Sequence, residues 1–240
     1  MNIEVLTLFP EMFAPVIGAS MLGRAVERGL LEVTLTDVRE FGLGKHRSTD
    51  DAPYGGGSGM VMRVEPLVAA LEHAIAARGP ARKILLSPSG KPLDAGVVKR
   101  LAQEPRLLLV CGRYEGVDDR INHFLDEEIS IGDFVLTGGE LGALVIIDAV
   151  ARRLPGVLGN SSSPLDESFE DGALEHPQFT RPPEFRGLVV PEILSSGDHE
   201  RVRRWRRRES LVRTRERRPD LFARLVLSKE DRALLAGEAP

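Results

Sequence analysis

Two apolar runs that break into glycine about twenty residues apart constrain this chain more than any other feature. Residues 107–120 read LLLVCGRYEGVDDR, and residues 129–140 read ISIGDFVLTGGE. Each opens like a buried strand and then turns into glycine with scattered polar groups. That pattern places bare, flexible backbone at a strand end, where amides and carbonyls can close around a small ligand. Two such ends side by side would build a pocket mainly from main chain.

The rest of the composition bounds what surrounds that pocket. The 240 residues are 42% hydrophobic and 28% charged, as expected of a globular chain of one large or two smaller domains. No apolar run reaches the roughly 18 residues of a membrane span. The opening MNIEVLTLFPEMF alternates like a strand and lacks the basic start of a secretion signal. The single cysteine, Cys111, excludes an internal disulfide and a cysteine-based zinc cage, so the cytoplasm is the expected location.

Hydrophobic periodicity predicts a β/α alternation over the first two thirds of the chain. Strands are expected at 3–9, 31–37, 84–86 and 106–110 and near Ile129, with helices at 10–28, 64–78, 94–103 and 139–153. The turn Ser87-Pro88-Ser89-Gly90 should stop the third of these strands. Such an order implies a mainly parallel sheet with helices on both faces. Residues 154–171 carry prolines, glycines and a serine run without period and read as a linker. Residues 180–191 look irregular. Beyond them lie helices at 198–214 and 220–227, then a last one capped by Ser228 with Asp231 three residues on.

Charge is unevenly spread. Residues 201–218 hold ten arginines against Glu209 and Glu216, a window of +8; with the whole chain at −4, the remainder carries −12. Two readings stand for this window. It is a solvated helix face with internal ion pairs, or the footprint of a phosphate-rich partner. Two acids among ten bases cannot neutralise it from within.

Several chemistries find no support. There is no GxxxxGK[ST] loop, no GxGxxG after the first strand and no GxSxG elbow. His46, His73, His123, His176 and His199 are dispersed without ligand spacing.

PYGGGSGM at 53–60, LSPSG at 86–90, the two glycine-broken segments, PGVLG at 155–159, HPQFTRP at 176–182 and RRWR at 203–206 occur in one order. Together they resemble the bacterial tRNA (guanine-N1)-methyltransferase family, TrmD, almost end to end. The resemblance implies a SPOUT-type α/β fold with a mainly parallel sheet and a deep trefoil knot, followed by a small all-helical C-terminal domain. The residues alone predict no knot, since threading is so rare. The implied layout is a knotted cofactor domain over 1–158, a linker over 159–173 and a tRNA-binding domain over 174–240. The implied activity is methyl transfer from S-adenosylmethionine to N1 of guanosine 37 in tRNA, by a homodimer with a shared active site.

The resemblance also assigns residues. Leu86, Ser87 and Pro88 would form one wall of the S-adenosylmethionine site, and Gly112, Tyr114, Glu115 and Gly116 a second. Ile131, Gly132, Asp133, Phe134, Val135, Leu136, Gly138 and Gly139 would complete it. The competing reading is that these glycines only serve tight turns. Gly142 departs from the family, which often has proline there. The family's catalytic arginine maps to Arg152. Its aspartate base maps to Glu167 by ungapped counting from PGVLG, or to Asp166 if the linker shifts by one residue.

For partners, residues 201–218 would grip the anticodon arm through phosphates. Trp205 would stack on a base or anchor the helix in a small core. The loop over 46–60, with Asp50 and Asp51, would lie near the target guanine. A magnesium requirement is associated with the family and would involve Glu115. Two other functions stay open: a related methyltransferase acting on a ribose or another base, and a non-catalytic RNA-binding protein.

Overall fold

The computed structural model describes residues 1–158 and 167–237. They fall into two compact units, Met1–Ser161 and Ser162–Pro240.

The first unit is built on strands β1 (Asn2–Thr7), β2 (Glu32–Asp37), β5 (Arg82–Pro92), β6 (Arg106–Cys111) and β7 (Glu127–Ser130). Two-residue strands β3 (Asp50–Asp51) and β4 (Val61–Met62) pair antiparallel beside it. Its helices are α1 (Ala14–Ile17), α2 (Ser20–Glu27), α3 (Val64–Arg78), α4 (Ala95–Leu101) and α5 (Glu140–Ala151). The five long strands lie in the order β2-β1-β6-β5-β7, and every pair among them is parallel.

A fully parallel sheet needs apolar cover on both faces, and β6 shows how the sequence supplies it. Leu107, Leu109 and Cys111 enter one core with Ala143, Ile146, Ile147 and Val150 of α5. Leu108 and Val110 enter the other with Leu67, Ala70, Leu71 and Ala74 of α3. All six residues of β6 are buried, which is why they read as one continuous run rather than an alternation.

Four local expectations need amending. The helix expected over 220–227 covers only Pro219–Phe222. The helix expected over 10–28 is broken, because α1 ends at Gly18 and the chain folds back so tightly that a Cβ on Gly23 would lie 2.5 Å from Gly18 O. The strand expected to stop at Leu86 instead pairs again. Leu86 and Lys91 both oppose Ile129, so residues 87–90 bulge out between two contacts with one β7 residue. Gly90 makes that possible, since a Cβ there would sit 2.5 Å from the Ile129 nitrogen. The irregular region near 180–191 contains a small hairpin, β8 (Glu184–Phe185) with β9 (Leu188–Val189).

The second unit thus holds a short ladder besides its helices α6 (His199–Arg217), α7 (Pro219–Phe222) and α8 (Lys229–Ala236). Their starts follow local capping chemistry. Asp198 accepts from the Arg201 N–H at 3.0 Å, and Ser228 with Asp231 forms a reciprocal capping box. Leu211, Thr214 and Leu234 are buried in its small core.

Candidate functional site

Three loops that follow, or bulge from, adjacent parallel strands enclose a cavity of about 400 Å³ in the first unit. One is the β5 bulge, the second follows β6, and the third joins β7 to α5. This is the carboxyl-end position at which open parallel sheets bind ligands.

The loop after β6 is pinned rather than free. Tyr114 sits in the left-handed region at φ 61°, a conformation that costs a non-glycine residue about 1–3 kcal/mol. Backbone bonds on both sides hold it there. The Glu115 N–H donates to Met60 O at 3.0 Å, the Met62 N–H to Gly116 O at 2.9 Å, and the Asp118 N–H to Met62 O at 2.9 Å. Gly116 turns the chain at φ 140°. The glycine run before Met60 meets this loop directly, for a Cβ on Gly59 would overlap the Glu115 side chain.

The third loop packs onto the second. The Gly139 N–H donates to Gly112 O at 2.9 Å, and a Cβ on Gly139 would lie 2.8 Å from Cys111 Cα. Only glycine lets the start of α5 come this close to the end of β6. Beside it, Arg113 Nε stands 2.9 Å from the buried Glu140 Oε2, an ion pair whose N–H does not point along the contact. Thr7 Oγ1 donates to Glu140 Oε1 at 2.8 Å, and the Arg113 Nη1 donates to Thr137 O at 3.2 Å. Glu140 thereby ties α5 to β1 and β6. Burial, with the nearby Glu140 charge, pushes the Cys111 thiol well above its ordinary range, so it stays neutral.

The lining is apolar where it is open. Phe134, Val135 and Leu136 are exposed side chains on the cavity, and Tyr114 is half exposed. At one end, Ser89 Oγ donates to Glu128 Oε2 at 2.9 Å, leaving a polar corner. Leu86, Ser87, Pro88, Gly112, Tyr114, Glu115, Gly116, Ile131, Gly132, Phe134, Val135, Leu136, Gly138 and Gly139 all line the cavity. Asp133 does not: it falls between lining residues 132 and 134 without joining them. The turn-only reading of the glycines also holds in part. Gly116 and Gly132 have φ of 140° and 149°, and Gly138 and Gly139 answer a close approach.

Sequence reasoning missed Arg113, Glu128 and Asn122, which also line the cavity. For Arg113 a signal existed: a lone cation follows a buried strand, and a lone acid, Glu140, opens a buried helix. The other two sit among ordinary polar residues. Gly142, the family departure, faces Leu86, with an added Cβ only 3.3 Å from Leu86 Cδ1. Helix α5 starts regularly despite it, its Ala143 N–H donating to Gly139 O at 2.8 Å.

Arg152 is the C-cap of α5 in the first unit. Glu167 belongs to the second unit, where its carbonyl accepts the Glu170 N–H at 3.3 Å. Asp166 lies outside the described residues.

Half of the arginines over 201–218 are spoken for by acids. Arg203, Arg204, Arg207, Arg208 and Arg218 form ion pairs, mostly with Glu200, Glu230, Asp231, Asp171 and Asp220 from outside that window. Counting acids within the window therefore overstated its net field. Arg201, Arg206, Arg213, Arg215 and Arg217 form no ion pair among the described residues. Arg207 holds the Asp231 carboxyl down to about 2, helped by the Ser228 cap.

Among the described residues, no three His, Cys, Asp or Glu side chains gather in a way that could hold a metal ion. No helix there is long and apolar enough to cross a membrane.

A parallel α/β sheet with a glycine-walled small-ligand cavity at its carboxyl edge defines the class of this protein. The profile of the family described as tRNA (Guanine-1)-methyltransferase TrmD matches residues 1–224. A tRNA (guanine-N(1)-)-methyltransferase of Myxococcus xanthus is 61% identical over 235 residues, covering 98% of this chain and 95% of that protein. One from Anaeromyxobacter sp. strain K is 59% identical over 237 residues, covering 98% and 96%. One from Pelotomaculum thermopropionicum is 55% identical over 238 residues, covering 98% and 95%. The chain belongs to the TrmD family and is a methyltransferase.

Proposed function

We propose that this enzyme transfers a methyl group from S-adenosylmethionine to N1 of guanosine 37 in tRNA. The observation that carries the reading is the cavity. Three loops expected from the family meet there, with exposed apolar side chains and a polar corner that suit an adenosyl group. When bound, S-adenosylmethionine supplies an electrophilic methyl group on a sulfonium sulfur.

The chain's own residues prepare the acceptor. Guanine N1 carries a proton at neutral pH, so its lone pair is unavailable. Glu167 takes that proton, with Asp166 as the rival base, and Arg152 stabilises the charge that gathers on O6. Such a base contributes about 10²–10⁴ in rate, and a well-placed donor about 10²–10³. Glutamate is one methylene longer than the family's aspartate, so its backbone stands further from the guanine. Glu115 packs against Gly59, and among the described residues no two further candidate ligands join it, so the reaction is derived without a magnesium step.

The wider family features are part of the same reading. The trefoil knot enters this reading through membership of the TrmD family. A homodimer is supported by Leu141 and Val145, exposed one turn apart on α5. The region 174–240 serves as the tRNA-binding domain behind the linker 159–173, its unpaired arginines on the anticodon arm. The cytoplasm is its workplace.

The test is to incubate the enzyme with unmodified tRNA and methyl-labelled S-adenosylmethionine, then map the product. The expected product is 1-methylguanosine at position 37, lost with a G37→A transcript. Label on a ribose, on another base or on no nucleoside overturns the reading.

A further inference from the structure

The second unit contains a cavity of its own, about 340 Å³, within the ~300–1,000 Å³ range of small-ligand sites. Segment 176–183, the turn Glu192–Ser195 and α6 supply its walls. The Val190 N–H donates to Pro183 O at 2.9 Å, which closes the hairpin side.

Its contents are selective. The Trp205 ring stands 6.4 Å from the His176 ring and 6.3 Å from that of Phe179, centroid to centroid. Trp205 is half-buried and does not line the cavity, so it braces the two rings that do. Phe179, thus backed, leaves 45% of its surface exposed. Arg181 and Arg206 line the same cavity, are exposed, and form no ion pair among the described residues. The contrast along α6 is sharp, since Arg203, Arg204, Arg207 and Arg208 around Arg206 are all paired. Among the described residues no carboxylate lines the cavity, and Glu175 nearby accepts from the Gln178 amide.

A backed, exposed ring beside two unpaired guanidiniums, with Gln178, Thr180 and Ser195 offering hydrogen bonds, is more than a phosphate grip requires. Contacts that only track a duplex backbone need neither a concavity nor an aromatic face. A single unstacked nucleotide uses all of these. We propose that this cavity takes one unpaired nucleotide of the RNA substrate, with its base on Phe179 and its phosphate on Arg181 and Arg206. This rests on the tRNA reading above.

The experiment compares the full-length parent with Phe179→Ala, Phe179→Tyr and Arg206→Gln. It measures tRNA affinity by fluorescence anisotropy across a salt series and S-adenosylmethionine affinity by calorimetry. Losing one stacked base should weaken tRNA binding roughly tenfold in Phe179→Ala without changing the salt slope. Phe179→Tyr should restore it. Arg206→Gln should lower the salt slope by about one. Donor affinity should stay at the parent value throughout. If the parent binds tRNA and both Phe179→Ala and Arg206→Gln match it within about twofold at every salt concentration, the nucleotide site is overturned while the tRNA reading stands. If the parent binds no tRNA, both fall. Should Phe179→Ala lower the melting temperature, Arg206→Gln carries the test alone, because its side chain is exposed and unpaired, and a parental salt slope overturns the site.

Discussion

At Gly139 one added carbon would meet the Cys111 backbone at 2.8 Å, whereas at Arg215 and Arg217 the exposed side chains form no ion pair among the described residues. The cavity of the first unit is shaped by what its residues lack. Glycines let α5 touch β6, let β5 bulge against Ile129, and turn the loops at positive φ. The basic helix works by what its residues add, and half of that addition is already consumed by carboxylates of the same unit. Of those glycines, Gly90 and Gly139 tolerate no enlargement, because the nearest obstacle there is backbone. Side-chain surfaces like that of the basic helix should lose function in graded steps.

The largest effect tests where chemistry ends and binding begins. Glu167→Gln should lower kcat by about 10²–10⁴ while leaving donor affinity unchanged, measured by single-turnover methylation and calorimetry. Asp166→Asn should stay within a few-fold of the parent, and the reverse outcome would move the base to Asp166. Next, Gly139→Ala should destabilise the first unit by about 1–3 kcal/mol, because the start of α5 must back away from β6. Calorimetry should show weakened S-adenosylmethionine binding in the same variant. A parental melting curve and parental donor affinity would break the idea that close backbone approach shapes the cavity.

A smaller effect separates the two populations of arginine. Replacing Arg215 and Arg217 together by Gln should flatten the salt dependence of tRNA binding by about two in log–log slope. Replacing the ion-paired Arg203 and Arg208 should flatten it less. Equal slopes would mean that the ion pairs open on binding and that the distinction is empty.

The smallest concerns acid. Asp231 has its carboxyl held at about 2 in the folded unit, below its ordinary 3.8, first by its hydrogen bond from Arg207. A depressed carboxylate stabilises the fold above about pH 3.8 and loses that contribution as pH falls toward 2. The second unit should therefore lose stability through that window, followed by the fluorescence of Trp205, its one tryptophan. Asp231→Asn should remove this part of the pH dependence. An unchanged acid transition in the variant would place the acid sensitivity elsewhere.

Much of this was legible in the chain. Helix α3 matches its expected bounds, Val64–Arg78, and the Ser228–Asp231 capping box forms as its spacing implies. The parallel sheet follows from β/α alternation, and the two glycine-broken segments do meet at one cavity. These features depend on residues within a few positions of one another, or on strand order, so local pattern was enough to reveal them. The fate of residues 10–28 was not legible, because Gly23 matters only through the Gly18 backbone it touches. The same holds for the β5 bulge, whose second pairing depends on Ile129 some forty residues on.

Sequence alone thus determined which segments would be buried strands, where the last helix would be capped, and which glycines would stand at strand ends. Tertiary structure decided which lining positions face the cavity, excluding Asp133 and adding Arg113, and which arginines of α6 keep their charge available. Period and capping are set by bonds that span one turn of chain. Facing and pairing are set by atoms brought together across a hundred residues, as Thr7 and Glu140 are, and no local pattern encodes that distance.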